Sequence, residues 1–271
     1  MENLEFFEVP NIDSDISGQL LKKNQLAIAK IITREDGIFC GMRWVEQIFQ
    51  QLDQSVQLKW RVRDGDKIKS GQILCIIEGD AHILLLAERV ALNFLQTLSG
   101  VATKTAHYVE ILQGTEVKLL DTRKTIPGLR SALKYAVLCG GGFNHRLGLF
   151  DAYLIKENHI IEEGNITSAI KKARLAHTNV PIEVEVENIN ELNEAIEAIE
   201  AKADIVMLYN FTISMMQEAV MIAKGKVALE VSGNITLKTL KEYAKTGVDY
   251  ISVGALTKNI TAIDLSMRFH E

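Results

Sequence analysis

Cationic side chains gather in three short stretches of the sequence: Asp121-Thr122-Arg123-Lys124-Thr125, Asn144-His145-Arg146 and Lys156-Glu157-Asn158-His159. One basic pair in one loop would ordinarily be a solvated surface feature. Here Arg123, Lys124, His145, Arg146 and Lys156 lie close together in a chain whose formal net charge is −5, so they form a local anion trap. Arginine grips a carboxylate through two parallel hydrogen bonds and lysine supplies a compact charge, so the mixture suits a ligand with several carboxylates or phosphates. His145 by itself reads as a structural histidine and gains meaning only from its neighbour Arg146.

A second group could oppose that charge. Ile182, Val184 and Val186 alternate with Glu183, Glu185 and Glu187, which places three carboxylates on one face of a strand. Carboxylates turned into a core are costly unless cations, a metal or ligand hydroxyls meet them, and Lys156 on the preceding strand is the expected partner. Small residues at two later strand ends, Ser232-Gly233-Asn234 and Gly254-Ala255, can present backbone N–H groups as a cup for a phosphate. Gly140-Gly141-Gly142 matches neither standard nucleotide fingerprint and is a weak phosphate motif.

These residues need a scaffold of repeated strands. Strands are predicted at 118–122, 152–156, 182–187, 205–209, 227–231 and 250–253. Between them lie amphipathic helices. One has Ile189, Leu192, Ile196 and Ile199 on its apolar face, one runs from Thr212 to Gly225, and one uses Leu237, Leu240 and Ala244 before Gly247. Later strand ends recur about every two dozen residues, the period of β-α units joined by right-handed crossovers. Spacing alone does not choose between a closed barrel and an open doubly wound sheet. In either, the site lies at the carboxyl ends of the strands, where the polar residues gather. The earlier part reads differently. Residues 58–75 suggest short strands with tight turns at Asp64-Gly65-Asp66 and Ser70-Gly71, and 83–112 a long helix broken near Ser99-Gly100. We therefore expect an N-terminal α/β domain over 1–114 and an α/β domain with the active site over 115–271, the last residues packing back on the first domain. The Asp64-Gly65-Asp66 turn has a lipoyl-module look, but Lys67 reads as an ordinary hairpin lysine.

Composition removes other classes. At 47% hydrophobic residues the chain can bury a core, and its negative charge gives no general attraction to nucleic acid or anionic lipid. Residues 1–15 are acidic and lack a signal-peptide pattern, and Glu88, Arg89 and Asn93 interrupt the most apolar stretch, so neither export nor a membrane span is expected. A cytoplasmic location follows as the expectation. Cys40, Cys75 and Cys139 are odd in number and far apart, which suggests packing residues and neither a disulfide framework nor a zinc site.

Taken together, the motifs resemble the quinolinate phosphoribosyltransferase family, also called carboxylating nicotinate-nucleotide pyrophosphorylases. The resemblance covers almost the whole chain. It is densest from Ala87-Glu88-Arg89 through Asp121-Thr122-Arg123-Lys124-Thr125, Asn144-His145-Arg146 and Leu154-Ile155-Lys156 to Val253-Gly254-Ala255-Leu256. It implies an N-terminal open α/β sandwich, a C-terminal parallel barrel of fewer than eight strands, and a homodimer or dimer-based oligomer whose subunits share active sites. It also implies transfer of a phosphoribosyl group from phosphoribosyl pyrophosphate to quinolinate with Mg²⁺, giving nicotinate mononucleotide, pyrophosphate and carbon dioxide. By the same resemblance Arg123, His145, Arg146 and Lys156 look like the quinolinate set, Arg89 like a residue lent by the partner subunit, and Lys124 like the pyrophosphate-side or catalytic lysine. Glu185 looks like the carboxylate meeting ribose hydroxyls or metal, and Ser232, Gly233, Gly254 and Ala255, with Asn234 beside them, look like the 5′-phosphate cup. Tyr209 departs from the family pattern, which has aspartate there, so weaker use of phosphoribosyl pyrophosphate is expected. That departure also keeps open a non-catalytic or altered-substrate relative that binds an anionic metabolite or serves molybdate transport. A barrel aldolase with Lys156 or Lys124 as a Schiff-base nucleophile is a further enzyme reading.

Overall fold

The computed structural model describes residues 15–22, 24–197 and 203–269. The expected position of Ile199 and the acidic segment before Asp15 lie outside them. The chain divides into two compact units, one of 1–106, 126–141 and 259–271, the other of 107–125 and 142–258. The division falls inside a helix, not at residue 114, and 126–141 joins the first unit. Local periodicity cannot reveal such an exchange of segments.

The first unit is built on a four-stranded antiparallel sheet. Its strands are β1 (Leu26–Thr33), β3 (Gln57–Trp60), β5 (Ile73–Asp80) and β12 (Leu265–Phe269), in the order β12-β1-β5-β3. The pairing of Ala29 with Phe269 and of Thr33 with Leu265 returns the last strand to the first. A small ribbon joins β2 (Gly37–Ile38) to β4 (Lys67–Ile68). Helix α1 (Met42–Leu52) buries Val45 and Phe49, and α2 (Ala81–Ile111) buries Leu84, Ala87, Ala91, Leu92 and Leu95 in the same core as Ala29, Ile31 and Ile77. Phe94, expected on that face, is only partly buried. Each leucine, isoleucine, valine or phenylalanine side chain buried in this way contributes about 1.5–3 kcal/mol. Asp80 caps α2, its Oδ1 accepting from the His82 N–H at 2.9 Å.

Helix α2 runs unbroken through Ser99-Gly100, against expectation. Gly100 serves packing: a Cβ there would sit 2.2 Å from the Thr261 carbonyl oxygen. Ser99 accepts a hydrogen bond from the Cys40 N–H at 2.9 Å and returns one to the Cys40 carbonyl at 3.1 Å. Helix α3 (Arg130–Cys139) completes this unit.

The second unit holds six parallel strands: β6 (Lys118–Leu120), β7 (Tyr153–Ile155), β8 (Ile182–Val186), β9 (Ile205–Tyr209), β10 (Ala228–Ser232) and β11 (Tyr250–Ser252). All lie at or within two residues of their expected positions. The order β6-β11-β10-β9-β8-β7 pairs the last strand with the first, so the sheet curls into a barrel open between β6 and β7. Phe143 borders that gap, exchanging backbone hydrogen bonds with Leu119 and Asp121. This choice between barrel and open sheet is the one spacing left unsettled. Helices α4 (Glu157–Glu163), α5 (Ile166–Ala176), α6 (Ile189–Glu197), α7 (Ile213–Ala223), α8 (Leu237–Ala244) and α9 (Ala255–Lys258) follow successive strands. The cap of α7 is Thr212, whose hydroxyl accepts from the Met215 N–H, and Lys224 ends it in the left-handed region ahead of Gly225. Among the described residues no helix is long and apolar enough to cross a membrane.

Candidate active site

The parallel strands of the second unit end around a cavity of about 400 Å³. Arg123, Lys124, His145, Arg146 and Lys156 all line it, together with Glu185, Tyr209 and Ser232. The side chains reach it for reasons of register. Tyr209, Ser232 and Ser252 share one row across β9, β10 and β11, and Glu185, Met207 and Glu230 share the row beneath. With alternate residues facing the same side, both rows turn inward. Sequence reasoning missed Thr122, Leu154, Met207 and Ser252 as lining residues; each is an unremarkable residue type that only the register singles out.

Lys156 Nζ forms an ion pair with Glu185 Oε2, as the alternation on β8 predicts. Lys124 is held from three sides. Its N–H donates to Thr122 Oγ1 at 3.1 Å, its carbonyl accepts from Thr257 Oγ1 at 2.8 Å, and a Cβ on Gly254 would lie 3.4 Å from its Cδ. Arg146 and Arg123 converge across the gap between β6 and β7. Burial first, and then the Arg123 guanidinium, pull Arg146 below its ordinary value, while Glu183 and Asp151 oppose that shift. Buried Arg123 Nε has no hydrogen-bond partner among the described residues. Two guanidiniums lining one cavity make a place where an incoming dianion is favoured.

His145 lines the cavity, but its ring nitrogens are turned to protein partners. Nδ1 accepts from the Arg146 N–H at 2.8 Å, and Nε2 lies 2.8 Å from Glu183 Oε2 and 3.5 Å from Glu230 Oε2. Its backbone N–H donates to Asp121 Oδ1 at 2.9 Å, and Asn144 Nδ2 donates to Asp121 Oδ2 at 2.6 Å. Asp121 therefore fixes the loop, and the imidazole offers a ligand its ring more than a nitrogen. Glu183 and Glu230 are 4% and 0% exposed. Burial, followed by the charge of Glu183, pushes Glu230 well above the ordinary carboxylate value. Glu187, the third carboxylate of the alternation, lies beyond the end of β8 and is exposed.

The predicted phosphate cup is only partly gathered. Ser232 lines the cavity and accepts from Ser252 Oγ at 3.0 Å. Gly233, Asn234 and Ala255 do not line it, and Gly254 touches it through Lys124 and Thr122. Gly233 is required where it stands: its φ is 103°, and a Cβ would meet Asn210 Oδ1 at 2.3 Å. Arg89 is on α2 in the first unit, with its side chain 68% exposed and Nη2 4.0 Å from Glu88.

A parallel barrel whose strand ends bring four basic side chains and one accessible carboxylate to a single cavity is a scaffold for handling anionic ligands. Two family models match along the chain: the N-terminal domain of quinolinate phosphoribosyl transferase over residues 15–99 and its C-terminal domain over 101–268. The chain belongs to the quinolinate phosphoribosyl transferase family. It is 42% identical over 254 residues to a probable nicotinate-nucleotide pyrophosphorylase (carboxylating) of Bacillus subtilis strain 168, covering 93% of this chain and 87% of that one. It is 40% identical over 256 residues to the decarboxylating quinolinate phosphoribosyltransferase 1b of Nicotiana tabacum, covering 89% and 73%. The solved nicotinate-nucleotide pyrophosphorylase of Francisella tularensis superposes with a TM-score of 0.91 at 52% identity, covering 94% of this chain and 90% of that one.

Proposed function

We propose that this cavity transfers the phosphoribosyl group of phosphoribosyl pyrophosphate to the ring nitrogen of quinolinate, with loss of the 2-carboxylate. The products are nicotinate mononucleotide, pyrophosphate and carbon dioxide, a step in making NAD. The observation that carries this reading is the convergence of Arg123, Lys124, Arg146 and Lys156 on one cavity with Glu185 as its accessible carboxylate.

Each side chain then has a task. Arg123 and Arg146 hold the two quinolinate carboxylates, with Lys156 beside them and the His145 ring against the pyridine. The Arg–Arg repulsion is relieved when the dianion arrives, so binding energy is concentrated where the substrate must be oriented. Lys124 meets the departing pyrophosphate. As the bond from ribose C1 to the pyrophosphate oxygen breaks, positive charge grows on the sugar, and Glu185 stabilises it at short range. The pyridine nitrogen bonds to C1. The bond from ring C2 to its carboxylate then breaks, carbon dioxide leaves, and the electron pair on C2, beside the new pyridinium, takes up a proton. Ser232 with the backbone of Gly233, Asn234, Gly254 and Ala255 would receive the 5′-phosphate.

The donor set fits Mg²⁺ as an ion carried largely by substrate. Magnesium is usually held by one or two carboxylates plus phosphate oxygens, and here Glu185 supplies a carboxylate and Tyr209 a neutral hydroxyl. Bound there, the ion would neutralise charge on the leaving pyrophosphate. Arg89 would serve a neighbouring subunit of a homodimer, completing the quinolinate end of that site. A cytoplasmic enzyme fits these substrates.

The test follows both products. Purified protein with quinolinate, phosphoribosyl pyrophosphate and Mg²⁺ is expected to release carbon dioxide and nicotinate mononucleotide in equal amounts. Absence of both, with no quinolinate binding by calorimetry, would overturn the proposal.

A further inference from the structure

The first unit contains a second cluster of reactive side chains, which the cavity does not use. Cys40 precedes α1, Asp64 sits in the turn before β4, and Tyr135 and Cys139 lie one helical turn apart on α3. The sulfurs of Cys40 and Cys139 and a carboxylate oxygen of Asp64 all lie within 4.8 Å of one another. Asp64 is already engaged. Its Oδ1 accepts from the N–H groups of Gly41 at 2.8 Å and Met42 at 3.1 Å, and its Oδ2 accepts from the Tyr135 hydroxyl at 2.8 Å. The carboxylate is thus a fixed wall that caps α1, and the two sulfurs are the groups with chemistry to spare.

Both sulfur-bearing backbones are clamped. Ser99 holds Cys40 through its N–H and its carbonyl. Cys139 is followed by Gly140, where a Cβ would stand 2.4 Å from the Ala102 carbonyl oxygen. Neither backbone can drift away from α2 without breaking this packing, so the thiols stay facing each other. They differ in character. Cys40 is fully buried, and the hydrogen bond with Cys139, with burial next, pushes its thiol up. Cys139 is partly exposed, and the hydrogen bond from Cys40 pulls it down, helped by Tyr135 and opposed by burial and Asp64. One thiol is reachable and inclined to ionise, with a second held behind it.

We propose that Cys40 and Cys139 form a reversible redox pair, which a small disulfide of the glutathione class converts from dithiol to intramolecular disulfide. The Cys139 thiolate attacks one sulfur of the small disulfide, whose sulfur–sulfur bond breaks and releases one thiolate, leaving Cys139 in a mixed disulfide. Cys40 then gives up its proton and attacks the Cys139 sulfur, expelling the second small thiol. In total the two cysteines lose two protons and two electrons, and the small disulfide gains them. The side chains must turn to bring the sulfurs to a bond length of about 2.05 Å. Reversible pairs, unlike structural disulfides, are compatible with reducing compartments. The pair stands independently of the reading of the cavity.

The test uses the full-length folded protein. Reduced protein is treated with oxidised glutathione, quenched with iodoacetamide, digested without reduction and analysed by mass spectrometry. The expected product is one cross-linked peptide pair joining Cys40 to Cys139, reversed by dithiothreitol, with Cys75 alkylated as in the control. The variant Cys40→Ser is expected to accumulate glutathione on Cys139, and Cys139→Ser to leave Cys40 unmodified. Before oxidation, Cys139 should alkylate at least roughly tenfold faster than Cys75, whose thiol burial pushes up to about 12. A wild-type protein that remains unlinked, or that stops at a glutathione adduct on Cys139, overturns the proposal whether or not the variants fold.

Discussion

Tyr209 faces the cavity with Ser232 and Glu185, at the position where the resemblance leads us to expect an aspartate. A neutral phenol offers ribose hydroxyls or Mg²⁺ a weaker acceptor. Tyr209→Asp is therefore expected to lower the KM for phosphoribosyl pyrophosphate about tenfold, roughly 1.4 kcal/mol, with the KM for quinolinate little changed. Steady-state kinetics with each substrate varied in turn would check it, and an unchanged KM would show that the tyrosine costs nothing. Glu185→Gln removes the charge that opposes the growing positive sugar and strands Lys156. Its kcat is expected to fall by about 10²–10³-fold, with quinolinate affinity by calorimetry altered much less. Glu230 makes a pH prediction. Its value is raised above the ordinary 4.5, so the folded chain keeps a proton that the unfolded chain releases. The associated stability is full below 4.5 and drains away as pH rises through the native value. In Glu230→Gln this drain is absent, so the variant's melting temperature minus that of the parent should rise from pH 5 to pH 8, and a constant difference would refute the assignment. The cations of this site were legible because like charges clustered in an acidic chain are conspicuous. Glu230 was not, since one glutamate in an apolar strand acquires its role only from the register that sets it beside Met207, in one row with Glu185.

At the scale of elements, the sequence carries local information well. Strand β9 spans the residues expected from its apolar run, and α7 runs between its cap Thr212 and Lys224, just ahead of Gly225, because caps and terminators are encoded next to what they cap. The supposed break at Ser99-Gly100 shows the opposite case. Glycine in a helix interior ordinarily costs about 1 kcal/mol against alanine, so Gly100→Ala should stabilise α2 by propensity alone. The Thr261 backbone, only 2.2 Å from the new methyl carbon, reverses that. Overpacking of this kind costs about 1–3 kcal/mol or more, so Gly100→Ala is expected to lower the melting temperature measured by circular dichroism. A rise would mean that the segment after α9 yields freely. The break was inferred from a glycine whose partner lies 161 positions along the chain, a contact no window of sequence contains. Cys40 and Cys139 were hidden for the same reason: distance along the chain looked like distance in space.

At the scale of the whole molecule, a shared site can be tested by mixing. Arg89→Ala and Lys156→Met are each expected to be nearly inactive. If Arg89 of one subunit serves the site of its partner, unfolding and refolding an equal mixture should restore roughly a quarter of wild-type activity, since half the dimers would be mixed and each would hold one intact site. A mixture no more active than its components would assign Arg89 elsewhere. The pairing of β12 with β1 has a further consequence for the birth of the protein. A ribosome adds about 5–20 residues per second, so β1 emerges on the order of tens of seconds before its neighbour on that side exists. Throughout that interval a hydrogen-bonding edge of Leu26–Thr33 stands open to strangers, the situation in which chains aggregate or recruit chaperones. The part of the molecule made first is thus completed last, and a nascent chain halted before Leu265 would leave the ribosome with its first sheet unfinished.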